Sequence, residues 1–321
     1  MFFLGGRWQQ AAAGDRVEVV SPASLEVVGS VPRATKDDAD RAVAAARSTF
    51  DTGPWPWLPA DERLGILQAL ADAIEARTEQ FADVLCAEQG LPRRGLPAGQ
   101  ISKAVSMLRA CADLGGSYPW TSTRQGTGRR TLRVRRAPVG VVVAIVPWNA
   151  PLFVAAMKLA PALAAGNTVV LKPPPETPLH TYLLAEAAVE AGLPEGVLSI
   201  LPAGADISEL LVRDPRVDKV SFTGSTAVGR QVGAICGASL KRCTLELGGK
   251  SAAVVLDDFE LTGASARMLV TGAMVNAGQV CAAQTRVFVP AARHEEIVEA
   301  MSEATRALVV GDPMSATTDI G

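Results

Sequence analysis

The pattern of apolar residues changes character partway along the chain. Val139–Val146 is a largely β-branched run, as in a strand covered on both faces of a parallel sheet. Beyond it, strand-length apolar runs alternate with helical patterns. Helix Pro151–Ala165 is closed by Gly166, and strand Thr168–Leu171 follows. Helix Pro178–Ala191 is closed by Gly192, and strand Val197–Leu201 leads to a short helix, Asp206–Val212. Strand Val217–Phe222 and helix Ser225–Cys236 complete the series. Such alternation predicts an α/β fold, a parallel sheet with helices on both faces.

The flanking segments read differently. Residues 1–35 read as short strands and turns, with Arg16–Val20 and Glu26–Val31 separated by Ser21-Pro22-Ala23-Ser24. A helix starts at Lys36, where Asp37 and Asp38 complement its dipole, and runs through Phe50. Three prolines in Thr52–Pro59 break it. Leu64, Ile66, Leu67, Leu70 and Ile74 mark an amphipathic helix from about Ala60, which Glu75–Glu88 can continue. Gly90–Gly99 reads as a break before a helix over roughly Ile101–Leu114. Thr121–Arg136 is polar and basic, an excursion whose second half alternates like an exposed ribbon. After Glu246 the alternation returns less fully: strand Ala252–Val255, helix Leu261–Asn276, strand Arg286–Pro290 and helix His294–Leu308.

Composition narrows the class. The chain has 321 residues, is 48% hydrophobic and carries a formal net charge of -2. A sizeable core is available, and the charge gives no reason to expect nucleic acid or an anionic membrane as partner. No apolar run reaches bilayer length, and MFFLGGRW lacks the basic start of a signal peptide. Five cysteines, an odd count with no CxxC pair, argue against a disulfide framework or a structural zinc site, so no metal is expected. Reduced thiols in a cytoplasmic setting are the simpler expectation. With only His180 and His294 present, a mechanism built on a histidine base is constrained.

Three elements could carry chemistry. Phe222-Thr223-Gly224-Ser225-Thr226-Ala227-Val228-Gly229 follows a strand and opens a helix, a place where backbone N–H groups can bind a pyrophosphate. Its spacing is not GxGxxG, and a plain βα turn explains it equally well. Asn276-Ala277-Gly278-Gln279-Val280-Cys281 puts a thiol in a glycine-flanked turn, where a thiolate could reach a substrate. A small buried core thiol is the alternative, and it suits Cys86, Cys111, Cys236 and Cys243, which sit in apolar patterns. In Thr244-Leu245-Glu246-Leu247-Gly248-Gly249-Lys250, two leucines frame a strand-end carboxylate. Desolvation there would raise its pKa toward that of a general base; an ordinary pairing with Lys250 is the competing reading.

Together with Val146-Pro147-Trp148-Asn149 and Lys158-Leu159-Ala160-Pro161-Ala162-Leu163-Ala164-Ala165-Gly166-Asn167, these motifs closely resemble the aldehyde dehydrogenase superfamily. The resemblance spans nearly the whole chain. It implies a Rossmann-like cofactor domain (residues 1–120 and 137–245), an oligomerisation ribbon (121–136) and the first half of an α/β catalytic domain (246–321). It implies that Cys281 attacks the aldehyde, that Asn149 and the Cys281 N–H hold the oxyanion, and that Glu246 activates water against the thioester. Ile145, Pro147, Trp148, Lys172, Gly204, Gly224, Ser225, Val228 and Leu247 would contact NAD. Val154, Met157 and Val275 would line an apolar substrate pocket, although core packing explains them equally. Homodimers or homotetramers are the family's usual assemblies.

Two departures qualify these expectations. The family often has Glu three residues after the ribose-binding Lys; here Pro175 stands there, with Glu176 next to it. The expectation is therefore NAD with some tolerance of NADP. Family members also continue past Gly321, so a chain ending there is expected to turn over weakly or not at all and to oligomerise less readily. Two rival readings remain: a CoA-acylating semialdehyde dehydrogenase, which the base Glu246 disfavours, and a non-catalytic dinucleotide-binding fragment.

Overall fold

A computed structural model describes residues 1–321. Two short strands, β1 (Phe2–Leu4) and β2 (Arg7–Gln9), precede a hairpin of β3 (Arg16–Val20) and β4 (Val27–Pro32). Four helices follow: α1 (Lys36–Thr52), α2 (Ala60–Glu75), α3 (Thr78–Gln89) and α4 (Ser102–Ser117). An antiparallel ribbon, β5 (Thr121–Gln125) and β6 (Thr131–Arg135), stands apart as its own two-stranded sheet. The central alternation comprises β7 (Val141–Ile145), α5 (Pro151–Ala164), β8 (Thr168–Lys172), α6 (His180–Glu190) and β9 (Leu198–Ile200). It continues with α7 (Ala205–Arg213), β10 (Lys219–Gly224), α8 (Thr226–Ala238) and β11 (Arg242–Leu247). The chain ends with β12 (Ala252–Val254), α9 (Gly263–Met274), β13 (Arg286–Phe288) and α10 (His294–Arg306).

The seven-stranded sheet has the order β11-β10-β7-β8-β9-β1-β2. The five strands from β11 to β9 run parallel, as the alternation requires, whereas β1 joins antiparallel to β9. From β7 the chain winds outward through β8 and β9, then returns to the other flank of β7 as β10. That reversal opens a crevice at the carboxyl ends of β7 and β10, the usual ligand position in such sheets.

Strand periodicity explains why the β-branched run is apolar throughout. Val142, Ala144 and Val146 face a large core built with α2, α3, α4, α5 and α6. Val141, Val143 and Ile145 face a second core built with α1, α7 and α8. A side chain of either parity is therefore buried. The segment after β11 has a much smaller buried core, Val255, Leu269 and Ile297.

Three expectations are revised. The helix from Ala60 is divided near Ala76 and Arg77 into α2 and α3, which lets both wrap the large core. The Gly90–Gly99 break contains a 3-10 turn (Arg93–Gly95) and the start of a π-helical turn (Pro97–Ile101) that runs into α4. Asp38 does more than complement the dipole of α1. It closes a capping box in which the Asp38 N–H donates to Thr35 Oγ1 (3.3 Å) and the Thr35 N–H to Asp38 Oδ2 (2.9 Å).

Candidate active site

Parallel pairing aligns the strand ends that carry the sequence motifs. Ile145 is paired with Lys172 on one side and with Phe222 on the other, and Gly224 with Leu247. Ile145, Lys172, Gly224 and Leu247 thus share the carboxyl edge of the sheet. Pro147 and Trp148 follow directly from β7, and Gly204 caps α7 just beyond β9. Ser225 caps α8, its Oγ accepting from the Val228 N–H, and Val228 is exposed beside it. A Cβ on Gly229 would lie 2.4 Å from Leu247 Cδ2, so glycine lets β11 close on the first turn of α8.

Lys172 is buried, and its Nζ donates to the Ala203 carbonyl at 3.3 Å. Burial pushes its pKa down to about 8, and the nearby Glu176 carboxylate opposes that shift. A buried ammonium with one neutral protein acceptor is costly unless something else uses it. Its folded-state pKa lies below the ordinary value, so between about 8 and 10.5 the unfolded chain binds more protons than the folded one. This group's contribution to stability therefore rises with pH across that window, and its penalty is fully present below it. Lys172→Met is expected to raise the melting temperature at pH 7 by roughly 2 °C, with the gain vanishing above pH 10. Calorimetric scans against pH check this; an unchanged or lowered melting temperature at pH 7 would refute it.

The cysteine turn is held against the strand-end loop. Asn149 Nδ2 donates to the Gln279 carbonyl at 2.5 Å, and Asn276 Nδ2 donates to the Asn149 carbonyl at 2.8 Å. Asn276, Ala277 and Gly278 all have positive φ (56°, 57° and 74°). For Ala277 this left-handed conformation costs roughly 1–2 kcal/mol, a strain retained at the turn that presents Cys281. Cys281 is exposed. A Cβ on Gly249 would lie 3.4 Å from the Cys281 carbonyl oxygen, so the Gly248-Gly249 turn packs beside the thiol-bearing backbone. Asn149, Cys281 and the segment following Glu246 are thereby brought together.

Glu246 departs from expectation. It is exposed, so the desolvation argued from its two leucine neighbours is absent. Adjacent strand residues point to opposite faces: Leu245 and Leu247 pack against the second core, and Glu246 projects the other way. Nor does Lys250 pair with it; the Lys250 ammonium donates to the Gly249 carbonyl. A different lysine, not singled out from the sequence, is its electrostatic partner. Lys158 is buried on α5, with Nζ 3.0 Å from Ser221 Oγ. Burial pushes Lys158 down to about 8, and the Glu246 carboxylate opposes the shift. Its signal in the sequence was a lysine inside an otherwise apolar helix.

Other expectations divide. Cys86 and Cys236 are buried and Cys111 half-buried, but Cys243, on the edge strand β11, is exposed. Val154 packs against the large core, whereas Met157 and Val275 are exposed. A cleft of about 620 Å³ opens beside the strand-end crevice, bordered by Trp148, Pro175, Glu176, Gln89 and Gln279. No helix is long and apolar enough to cross a membrane.

A parallel sheet with a strand-end crevice, next to a thiol turn tied to an asparagine amide, defines a protein of the dinucleotide-fold class with a thiol site. The chain belongs to the aldehyde dehydrogenase family, whose model matches residues 8–321. It is 43% identical to geranial dehydrogenase of Castellaniella defragrans, over 99% of this chain and 66% of that protein. It is 37% identical to phenylacetaldehyde dehydrogenase of Pseudomonas fluorescens, over 99% and 64%. Among solved structures it resembles a Mycobacterium tuberculosis aldehyde dehydrogenase complexed with NAD+, with a TM-score of 0.96 and 45% identity, covering 100% of this chain and 66% of that one. The chain thus spans just under two thirds of these relatives' length.

Proposed function

We propose that the protein oxidises an aldehyde to a carboxylic acid with NAD. The observation that carries this reading is the binding of the Asn149 amide to the Cys281 turn, beside a crevice whose edge holds the buried Lys172. In this reading the chain divides into a cofactor domain, the ribbon 121–136 that serves oligomerisation, and catalytic residues from 246 onward.

The crevice fits a dinucleotide. Lys172 offers a buried ammonium suited to ribose hydroxyls, and the open N-terminus of α8 at Gly224, Ser225 and Val228 suits a pyrophosphate. Gly204 leaves room at the mouth of α7, while Ile145, Pro147, Trp148 and Leu247 provide the wall along which the cofactor lies. When bound, NAD supplies the hydride acceptor. The chain's own residues do the rest. The Cys281 thiolate adds to the aldehyde carbon, giving a thiohemiacetal. Asn149 Nδ2 exchanges its bond to the Gln279 carbonyl for one to the developing oxyanion, with the Cys281 N–H as second donor. Loss of hydride leaves a thioester on Cys281. Glu246 takes a proton from water, which adds to the thioester carbon, and the thiolate leaves as the acid forms.

Glu176 lies close enough to Lys172 to act on its charge. This supports Glu176 as the carboxylate that Pro175 fails to provide, and hence NAD use with some tolerance of NADP. Medium aliphatic or aromatic aldehydes suit the apolar Met157 and Val275 surface better than charged ones. The test is a single turnover with protein in excess of aldehyde, because Cys281 and Glu246 stand open to water in this chain. NADH should form with NAD, and NADPH more slowly with NADP. A strict preference for NADP would refute the cofactor assignment; no reduced cofactor with any aldehyde would refute the reaction.

A further inference from the structure

We propose that Gln89 is a positioning residue for the Asn149 amide, acting through the Trp148 carbonyl. The inference rests on the oxyanion role of Asn149 given above, and its observations lie on the side of the loop away from Cys281. Gln89 ends α3 and is buried, and its Nε2 donates to the Trp148 carbonyl at 3.0 Å. Thr177 Oγ1 reaches the same oxygen at 3.4 Å. That carbonyl belongs to the peptide unit that begins Asn149, so holding it fixes the plane from which the Asn149 side chain departs. The two hydrogen bonds between Asn149 and the cysteine turn grip the residue from the opposite side.

A glutamine can present either its NH2 or its oxygen to a neighbour, and only the NH2 suits a carbonyl. Gln100 settles the choice: its Nε2 donates to Gln89 Oε1 at 2.8 Å, leaving the Gln89 NH2 for Trp148. Gln100 is itself buried and lies in the π-helical turn before α4, a rare geometry that is frequent at functional sites. Its own Oε1 is buried without a partner. The Gln100–Gln89–Trp148 relay fixes the orientation of the Gln89 amide and through it the Trp148 carbonyl, which suits it to placing the following peptide. The bond from Asn149 Nδ2 to the Gln279 carbonyl is exchanged in the proposed reaction. The contact from Gln89 need not be, and it holds the loop when the other is released.

The test uses Gln89→Met, which keeps length and removes the donor, and Gln100→Met, which removes only the contact that orients Gln89. If Gln89→Met does not fold, Gln100→Met alone decides. Crystal structures of wild type and variants report the Trp148–Asn149 peptide directly, and steady-state kinetics report its consequence. The expected result is a shift of Asn149 Nδ2 by about 1 Å and a kcat lowered about tenfold or more, with KM for NAD little changed and the melting temperature lowered modestly by the lost hydrogen bonds. A merely structural role would lower the melting temperature and leave kcat intact. An unmoved peptide overturns the proposal, as does a full kcat with a moved peptide. If wild type forms no NADH, the aldehyde-oxidation reading fails by itself, and the structures still decide whether Gln89 places Asn149.

Discussion

Replacing Cys281 by alanine is expected to lower NADH formation in a single turnover by roughly a thousandfold or more, the scale on which loss of a covalent nucleophile is felt. The chain offers two exposed thiols, Cys281 and Cys243, so the expectation is specific. Cys243 lies near the amino end of β11, away from the carboxyl edge where the motifs gather. Cys281 follows a turn held to Asn149 by two hydrogen bonds. Cys243→Ala should therefore leave the turnover unchanged. Because Cys281 is exposed, its truncation opens no cavity, and the melting temperature should stay within about 1 °C of wild type. Mass spectrometry of samples acid-quenched during the turnover should find a transient acyl group on Cys281 of the wild type and none on the variant. Retention of a tenth of the rate by Cys281→Ala, or loss of activity in Cys243→Ala, would remove Cys281 from its role.

The sequence revealed this thiol's context better than it revealed the carboxylate's. The β-branched run at Val141–Ile145 and the spaced glycines at Gly166 and Gly192 are local signals, and the elements they predict are present nearly to the residue. The strand-end crevice follows from them, because parallel strands joined by helices must bring Ile145, Lys172 and Gly224 to one edge. Facts set by pairing partners or long-range contacts were hidden. The three-residue β1 is too short to announce itself and gains its place from β9. Cys243 sits in an apolar pattern yet is exposed, which adjacent residues do not reveal. The burial of Lys172 and Lys158 depends on neighbouring elements rather than on adjacent residues. The Glu246 error had a different origin. Flanking leucines suggest apolar surroundings, but in a strand the nearest neighbours in sequence face away. The relay from Gln100 to Trp148 joins segments with no common sequence pattern, and only the folded chain displays it.

That misjudged carboxylate carries the second large expectation. Glu246→Gln should separate the two halves of the reaction. In the proposed reaction, thiohemiacetal formation and oxidation use Cys281 and Asn149, so one equivalent of NADH per chain should still appear as a burst. Hydrolysis needs a base, and its loss should slow later turnovers by about 10²–10⁴-fold. The acyl-Cys281 thioester should then accumulate and be seen as a stable mass increase. Exposure of Glu246 does not weaken this, since a base must reach water, and an exposed carboxylate does. The effect on Lys158 has a defined sign. The Glu246 carboxylate raises its pKa against burial, so the neutral glutamine should let it fall below its present value of about 8. Coenzyme A supplies the contrast with the acylating alternative. An added thiol nucleophile brings its own ionisable proton, so in a CoA-acylating enzyme Glu246→Gln would leave CoA-dependent turnover intact and form acyl-CoA. A hydrolytic enzyme should gain little from CoA in either form of the chain. Unchanged steady-state turnover in the variant, with no thioester accumulating, would mean that water is activated elsewhere, and Lys158, buried and partly deprotonated near pH 8, would be the next residue to replace.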